Sequence, residues 1–163
     1  MLGHFGFSYI GLLYLLMLFL PNLFWARHKP QGYSSAGENK RLVFCERMGE
    51  ICVCAVALLF SDFNLKSWSW QSIFLVLSFL LMALYEAWWI GYFRSKKTLK
   101  DFYRSFLGIP VAGATLPVLA FFLLGVYGEN IWMLLSSLLL GIGHIGIHLQ
   151  HRAGLRAGPD FER

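Results

Sequence analysis

Five stretches of roughly twenty predominantly apolar residues, parted by short polar segments, constrain this chain more than any other feature. A helix rises about 1.5 Å per residue, so each stretch matches a hydrocarbon core about 30 Å thick. The runs cover about residues 5–25, 42–61, 72–93, 109–127 and 131–150. With 57% apolar, 17% aromatic and only 14% charged residues, the chain falls outside soluble-domain composition, where about a quarter of residues are charged. The expected fold is all-α: a polytopic transmembrane bundle of about five TM helices, one membrane domain over 1–163, with 151–163 as a flexible cytoplasmic tail. The first run has no basic residue before it and Arg27, His28 and Lys29 after it, the reverse of a cleavable signal peptide.

Between the third and fourth runs, Leu99, Phe102, Tyr103, Phe106 and Leu107 recur at helical spacing opposite the charges, which predicts a short interfacial helix on the membrane surface. Lys and Arg set the orientation. Residues 26–41 hold four, residues 94–107 hold five and the tail after Gln150 holds three, whereas the opposite side has Lys66 alone. The positive-inside rule then gives N-terminus out and C-terminus in. The pI near 9.3 follows from this topology and from anionic headgroups, so no nucleic-acid partner is needed to explain it.

Ionisable residues inside apolar runs are costly and mark functional positions. They are Glu46, Arg47 and Glu50 in the second run, Glu86 in the third, and His144 and His148 in the fifth, with His151 at its end. From the rise per residue, Glu46 lies about 6 Å, Glu50 about 12 Å, Glu86 about 10 Å, His144 about 9 Å and His148 about 3 Å from the cytoplasmic boundary. All fall in one layer. Glu46 and Glu50 share a helical face, His144, His148 and His151 form a stripe, and Gly143 and Gly146 lie opposite it, where small residues permit close packing. Small residues from Gly108 to Thr115, with Pro110, and the pair Pro21-Asn22 sit at the same level. Together they predict a polar cavity opening to the cytoplasm. The other halves of the second to fifth runs contain no ionisable group apart from Cys52 and Cys54.

In this reading Glu50, Glu86 and His144 are the catalytic candidates, and Glu46, Arg47 and Trp89 the binding candidates. His144 and His148, at i and i+4, could hold a divalent transition metal together with a carboxylate from a neighbouring helix. A Glu and a His held close could instead share a proton as an acid and base pair. The plainer alternatives are an internally neutralised Glu46-Arg47-Glu50 ion-pair group and interfacial histidines bonded to carbonyls or headgroups. The pattern Ser35-Ala36-Gly37-Glu38 reads as a capping box starting the second helix early. Trp88 and Trp89, beside Tyr85 and Tyr92, read as interfacial anchors, or else as the lining of a cation or headgroup pocket. Cys45, Cys52 and Cys54 read as reduced apolar fillers.

The segment His144-Ile145-Gly146-Ile147-His148-Leu149-Gln150-His151 resembles one histidine box of the membrane fatty-acid hydroxylases and desaturases, enzymes that need several boxes. Only His4 and His28 remain elsewhere in the chain, so the sequence is assigned to no family. Three functions fit. The first is an integral plasma-membrane protein that binds or processes a small amphiphilic or lipid-like substrate, with metal assistance as an option. The second is a proton-coupled transporter acting as a homo-oligomer. The third is a non-enzymatic accessory, sensor or immunity-type membrane protein.

Overall fold

The protein, described here over residues 2–157 from a computed structural model, is all-helical. Its six helices are α1 (Tyr9–Arg27), α2 (Lys40–Leu59), α3 (Ser72–Phe93), α4 (Leu99–Phe102), α5 (Ala112–Gly128) and α6 (Ile131–Ala157). A 3-10 turn, Ser61–Phe63, follows α2. Three helices, α1, α3 and α6, are long and apolar enough to cross a membrane. That content is compatible with an integral membrane protein.

The two remaining long helices, both expected to span, fall short of that measure, each for a physical reason. Lys40, Arg41, Glu46, Arg47 and Glu50 lower the hydropathy of α2, which nevertheless exposes Phe44, Met48, Ile51 and Leu59. The fourth run becomes helical only at Ala112 and gives 17 residues, because Gly108 (φ 82°) and Val111 (φ 41°) adopt left-handed conformations around Pro110. α2 is capped by Asn39, whose side chain accepts from the Arg41 N–H, and not by Ser35; Gly37 at φ 89° ends any earlier helical path.

The expected interfacial helix shrinks to the four residues of α4. Phe102 and Tyr103 turn inward instead of lying on a surface, at 6% and 3% exposure. Where the sequence expectation gives residues from 151 onward to a flexible tail, α6 continues as helix to Ala157; 158–163 fall outside the described residues.

α2 packs on α6, α6 on α5 and α5 on α3, while α1 leans against α2 and α3 to close a ring. Twelve of the seventeen residues of α5 are buried, which makes it the central helix. Glycines allow the tightest crossing. A Cβ on Gly143 would overlap the Glu46 backbone, and one on Gly49 would overlap the backbone of Leu140. The pairs Glu38 with His151, Leu42 with Gly146, Glu46 with Gly143 and Gly49 with Leu140 run in opposite directions along the two helices, so α2 and α6 are antiparallel.

The start of α2 and of α5 therefore lie at the same end of the bundle as the last turns of α1, α3 and α6. The far end is filled by Tyr14, Phe63, Leu124 and Met133, none more than 1% exposed. There the Asp62 carboxylate accepts from the His4 backbone N–H (2.7 Å), from His4 Nδ1 (2.8 Å) and from Asn130 (3.3 Å), tying the N-terminal segment to the 3-10 turn. Leucines and phenylalanines of α1 and α3, among them Leu16, Leu20, Phe24, Leu77 and Phe79, face outward.

Candidate functional site

A chamber of about 270 Å³ opens at the bundle end that carries the 28–39 and 94–111 connections. Each long helix gives it a wall: Asn22 from α1, Glu46 from α2, Trp88 from α3, Gly113 from α5 and His144 from α6. Local sequence explains several of these placements. Pro21 has no N–H to give the α1 ladder. The next residue, Asn22, donates its side-chain amide to Leu18 O one turn back (2.7 Å) and to the Tyr85 hydroxyl (2.8 Å). Gly113 is required because a Cβ there would press on the benzo edge of Trp88.

Two histidine and glutamate pairs cross between α6 and the α2 region. His144 Nδ1 lies 2.5 Å from Glu46 Oε1, and His151 Nε2 lies 2.9 Å from Glu38 Oε1. With Glu46 ionised, Nδ1 carries the hydrogen and leaves Nε2 of His144 as a proton acceptor, the arrangement a general base needs. His148 sits between the pairs, its ring centroid 4.6 Å from that of His144 and 5.3 Å from that of Tyr103. Its Nδ1 is buried without a hydrogen-bond partner among the described residues.

His151 is sandwiched between Tyr33 (6.1 Å) and Tyr103 (5.3 Å). These three residues and Glu38 form the wall between the chamber and an outer cavity of about 310 Å³. Burial first, and then the nearby Glu38 and Glu46 carboxylates, raise the Tyr33 phenol above its ordinary range. Tyr103 is pushed up in the same direction, chiefly by burial. Both phenols therefore keep their hydrogens and can donate them to a ligand.

Beside the chamber runs a cleft of about 380 Å³ between α1, α2, α5 and α6. Its walls are mostly apolar, including Leu18, Phe19, Val118, Phe121 and Leu140. Asn22, Glu46, Arg47 and His144 line both spaces. Arg47 and Glu50, both exposed, bring the cleft to the surface.

Of the residues singled out in the sequence, Glu46, Arg47, Trp89, His144 and His148 line the chamber, and Glu50 lines the cleft alone. Glu86 lines neither space, and its Oε1 is buried without a hydrogen-bond partner among the described residues. The neutralised Glu46-Arg47-Glu50 group does not form: Glu46 goes to His144, and no ion pair joins Arg47 to another described residue. Trp88 and Trp89 are 0% and 3% exposed and face the chamber, so they are not surface anchors. Cys45, Cys52 and Cys54 are free thiols. Among the described residues, no group of three or more His, Cys, Asp or Glu is arranged to hold a metal ion.

Glu38, Tyr33 and Trp25 join the site without having been singled out for it. Glu38 was readable only as a capping residue, because its partner is more than a hundred positions away. Tyr33 and Trp25 carry no periodic signal that separates them from interfacial aromatics. No protein-family model, curated protein or solved structure matches this chain.

Proposed function

We propose that the protein is a multi-pass plasma-membrane protein in which all five long helices span the bilayer, N-terminus out and C-terminus in, and that it binds or processes an amphiphile entering from the inner leaflet. The observation that carries this reading is the junction of a polar, aromatic chamber with a mostly apolar cleft through four shared residues. A polar head fits the first and an alkyl tail the second. Outward-facing apolar residues on α2, α1 and α3 support spanning, and the Lys and Arg residues of segments 26–41 and 94–107 support placing that end in the cytoplasm. In this reading Glu46 and His144 form the acid and base pair, Arg47 anchors the head, and Glu50 stands at the mouth of the cleft.

The tight packing of Tyr14, Leu124 and Met133 at the far end favours binding or processing over transport. The direct test is saturable uptake of a spin-labelled or fluorescent fatty-chain probe by the detergent-purified protein. Filling the cleft with Val118→Phe should abolish saturable binding while leaving the thermal unfolding transition intact. Unchanged binding by that variant would count against a tail in the cleft.

A further inference from the structure

The hydrogen-bonding groups of the chamber are unevenly matched. Trp88 belongs to its wall, and the indole nitrogen of Trp88 is buried without a hydrogen-bond partner among the described residues. Indole N–H groups can only donate. Buried donors are almost always satisfied in folded proteins, by protein atoms, ordered water or a ligand. Leaving one empty costs about 1–3 kcal/mol.

Charge is unevenly matched too. Both carboxylates of the chamber are already engaged, Glu46 by His144 and Glu38 by His151. Arg47, at the junction with the cleft, has neither an ion pair nor a side-chain hydrogen bond to another described residue. A guanidinium offers five donors and no acceptor. Arg47 and the Trp88 N–H therefore both lack an acceptor, and an oxyanion can supply one to each where an ammonium group cannot.

We infer that the head taken by the chamber is an oxyanion of the phosphate or carboxylate kind, with Arg47 as its charge partner and the unpaired indole N–H of Trp88 among its donors. This names the head of the amphiphile proposed above and rests on that reading for the tail alone. Arg47 sits where head and tail meet, so the anionic group lies next to the alkyl chain and not at the far end of a long headgroup.

The experiment titrates protein purified in dodecyl maltoside with n-decyl phosphate, n-decanol, decyltrimethylammonium and inorganic phosphate. Binding is read from intrinsic tryptophan fluorescence, and each titration is repeated on Arg47→Gln and Arg47→Lys. Decyl phosphate is expected to saturate at a concentration roughly tenfold or more below decanol, the worth of a charge-assisted contact. Arg47→Gln should erase that advantage and Arg47→Lys keep part of it, with unfolding midpoints unchanged. If decanol or decyltrimethylammonium binds as well as decyl phosphate and Arg47→Gln changes nothing, the oxyanion inference is overturned and the tail reading survives. If inorganic phosphate binds as tightly as decyl phosphate, the oxyanion site stands and the amphiphile reading fails. If none of the four saturates, both fall.

Discussion

His144 Nδ1 meets Glu46 Oε1 at 2.5 Å at the level where α2 and α6 come closest, with Gly143 against the backbone of Glu46 itself. The residue that lets the helices touch is thus the immediate neighbour of the residue that bonds across them. Packing and site chemistry are fixed by the same crossing.

A double-mutant cycle on this pair should show strong coupling. Glu46→Gln and His144→Ala each remove a charge-assisted contact between partly buried groups, worth about 1.5–3 kcal/mol, and the double variant should cost little more than either single one. Reversible unfolding in mild detergent measures this. Additive losses would mean that the two side chains do not interact in solution.

Gly143→Ala and Gly49→Ala should each destabilise the protein by about 2 kcal/mol or more, because the added methyl meets backbone that cannot rotate away. Gly154→Ala, in open space on the same helix, should be neutral or slightly stabilising. Thermal unfolding of the three variants side by side separates packing from helix propensity. Equal midpoints for Gly143→Ala and Gly154→Ala would place α2 and α6 farther apart than described here.

How much of this was legible in the sequence depended on whether a feature was local. Run length and hydropathy gave the helices, and the i, i+4 and i+7 spacing of His144, His148 and His151 gave their stripe, since both follow from 3.6 residues per turn. Glu38 and His151 could not be paired from the sequence, because the register of α2 against α6 is set by glycine contacts that leave no periodic trace. Trp88 and Trp89 sit at a helix end, where tryptophan serves equally as an interfacial anchor or as a cavity wall. Only the crossing of α5, with Gly113 under Trp88, decides between these roles. Depth alone places Glu86 in one layer with Glu50 and His144, but depth carries no information about which way a helix is turned.

The far end of the bundle should be acid-labile. Burial opposes the charge on Asp62, but hydrogen bonds from the His4 side chain and backbone and from Asn130, with the charge of His4, outweigh it and hold the carboxyl below its ordinary range. A carboxylate lowered in the folded state contributes stability that is complete above its unfolded value of about 4 and is lost as pH falls through the lower folded value. Hydrogen exchange of the amides near His4 and Ser61 should therefore quicken below about pH 4. Asp62→Asn should abolish that pH dependence and cost about 1–3 kcal/mol at neutral pH. A pH-dependent opening that persists in the variant would assign it to another group.

The chamber end of the bundle offers a sharper test of how the chamber is closed. α4 is only four residues long and could not persist alone, since short helices are marginal without tertiary support. It is held by a capping box in which the Thr98 hydroxyl accepts from the Asp101 N–H (3.1 Å) and Asp101 Oδ2 accepts from the Thr98 N–H (3.0 Å). Next to that box, Phe102 stacks on Trp25 at 4.9 Å, and Tyr103 stacks on His151. The cap thus positions two of the aromatic residues that wall the chamber. Asp101→Ala should remove about 0.5–2 kcal/mol of local stability and loosen Phe102 and Tyr103 with little effect on the global unfolding midpoint. Tryptophan fluorescence from the chamber should then become more accessible to a water-soluble quencher such as acrylamide. Thr98→Ser should retain the box and the wild-type quenching. Quenching that does not change in Asp101→Ala would show that the wall is held by its stacking on Trp25 and His151 alone, and that the capping box is incidental to the closure of the site.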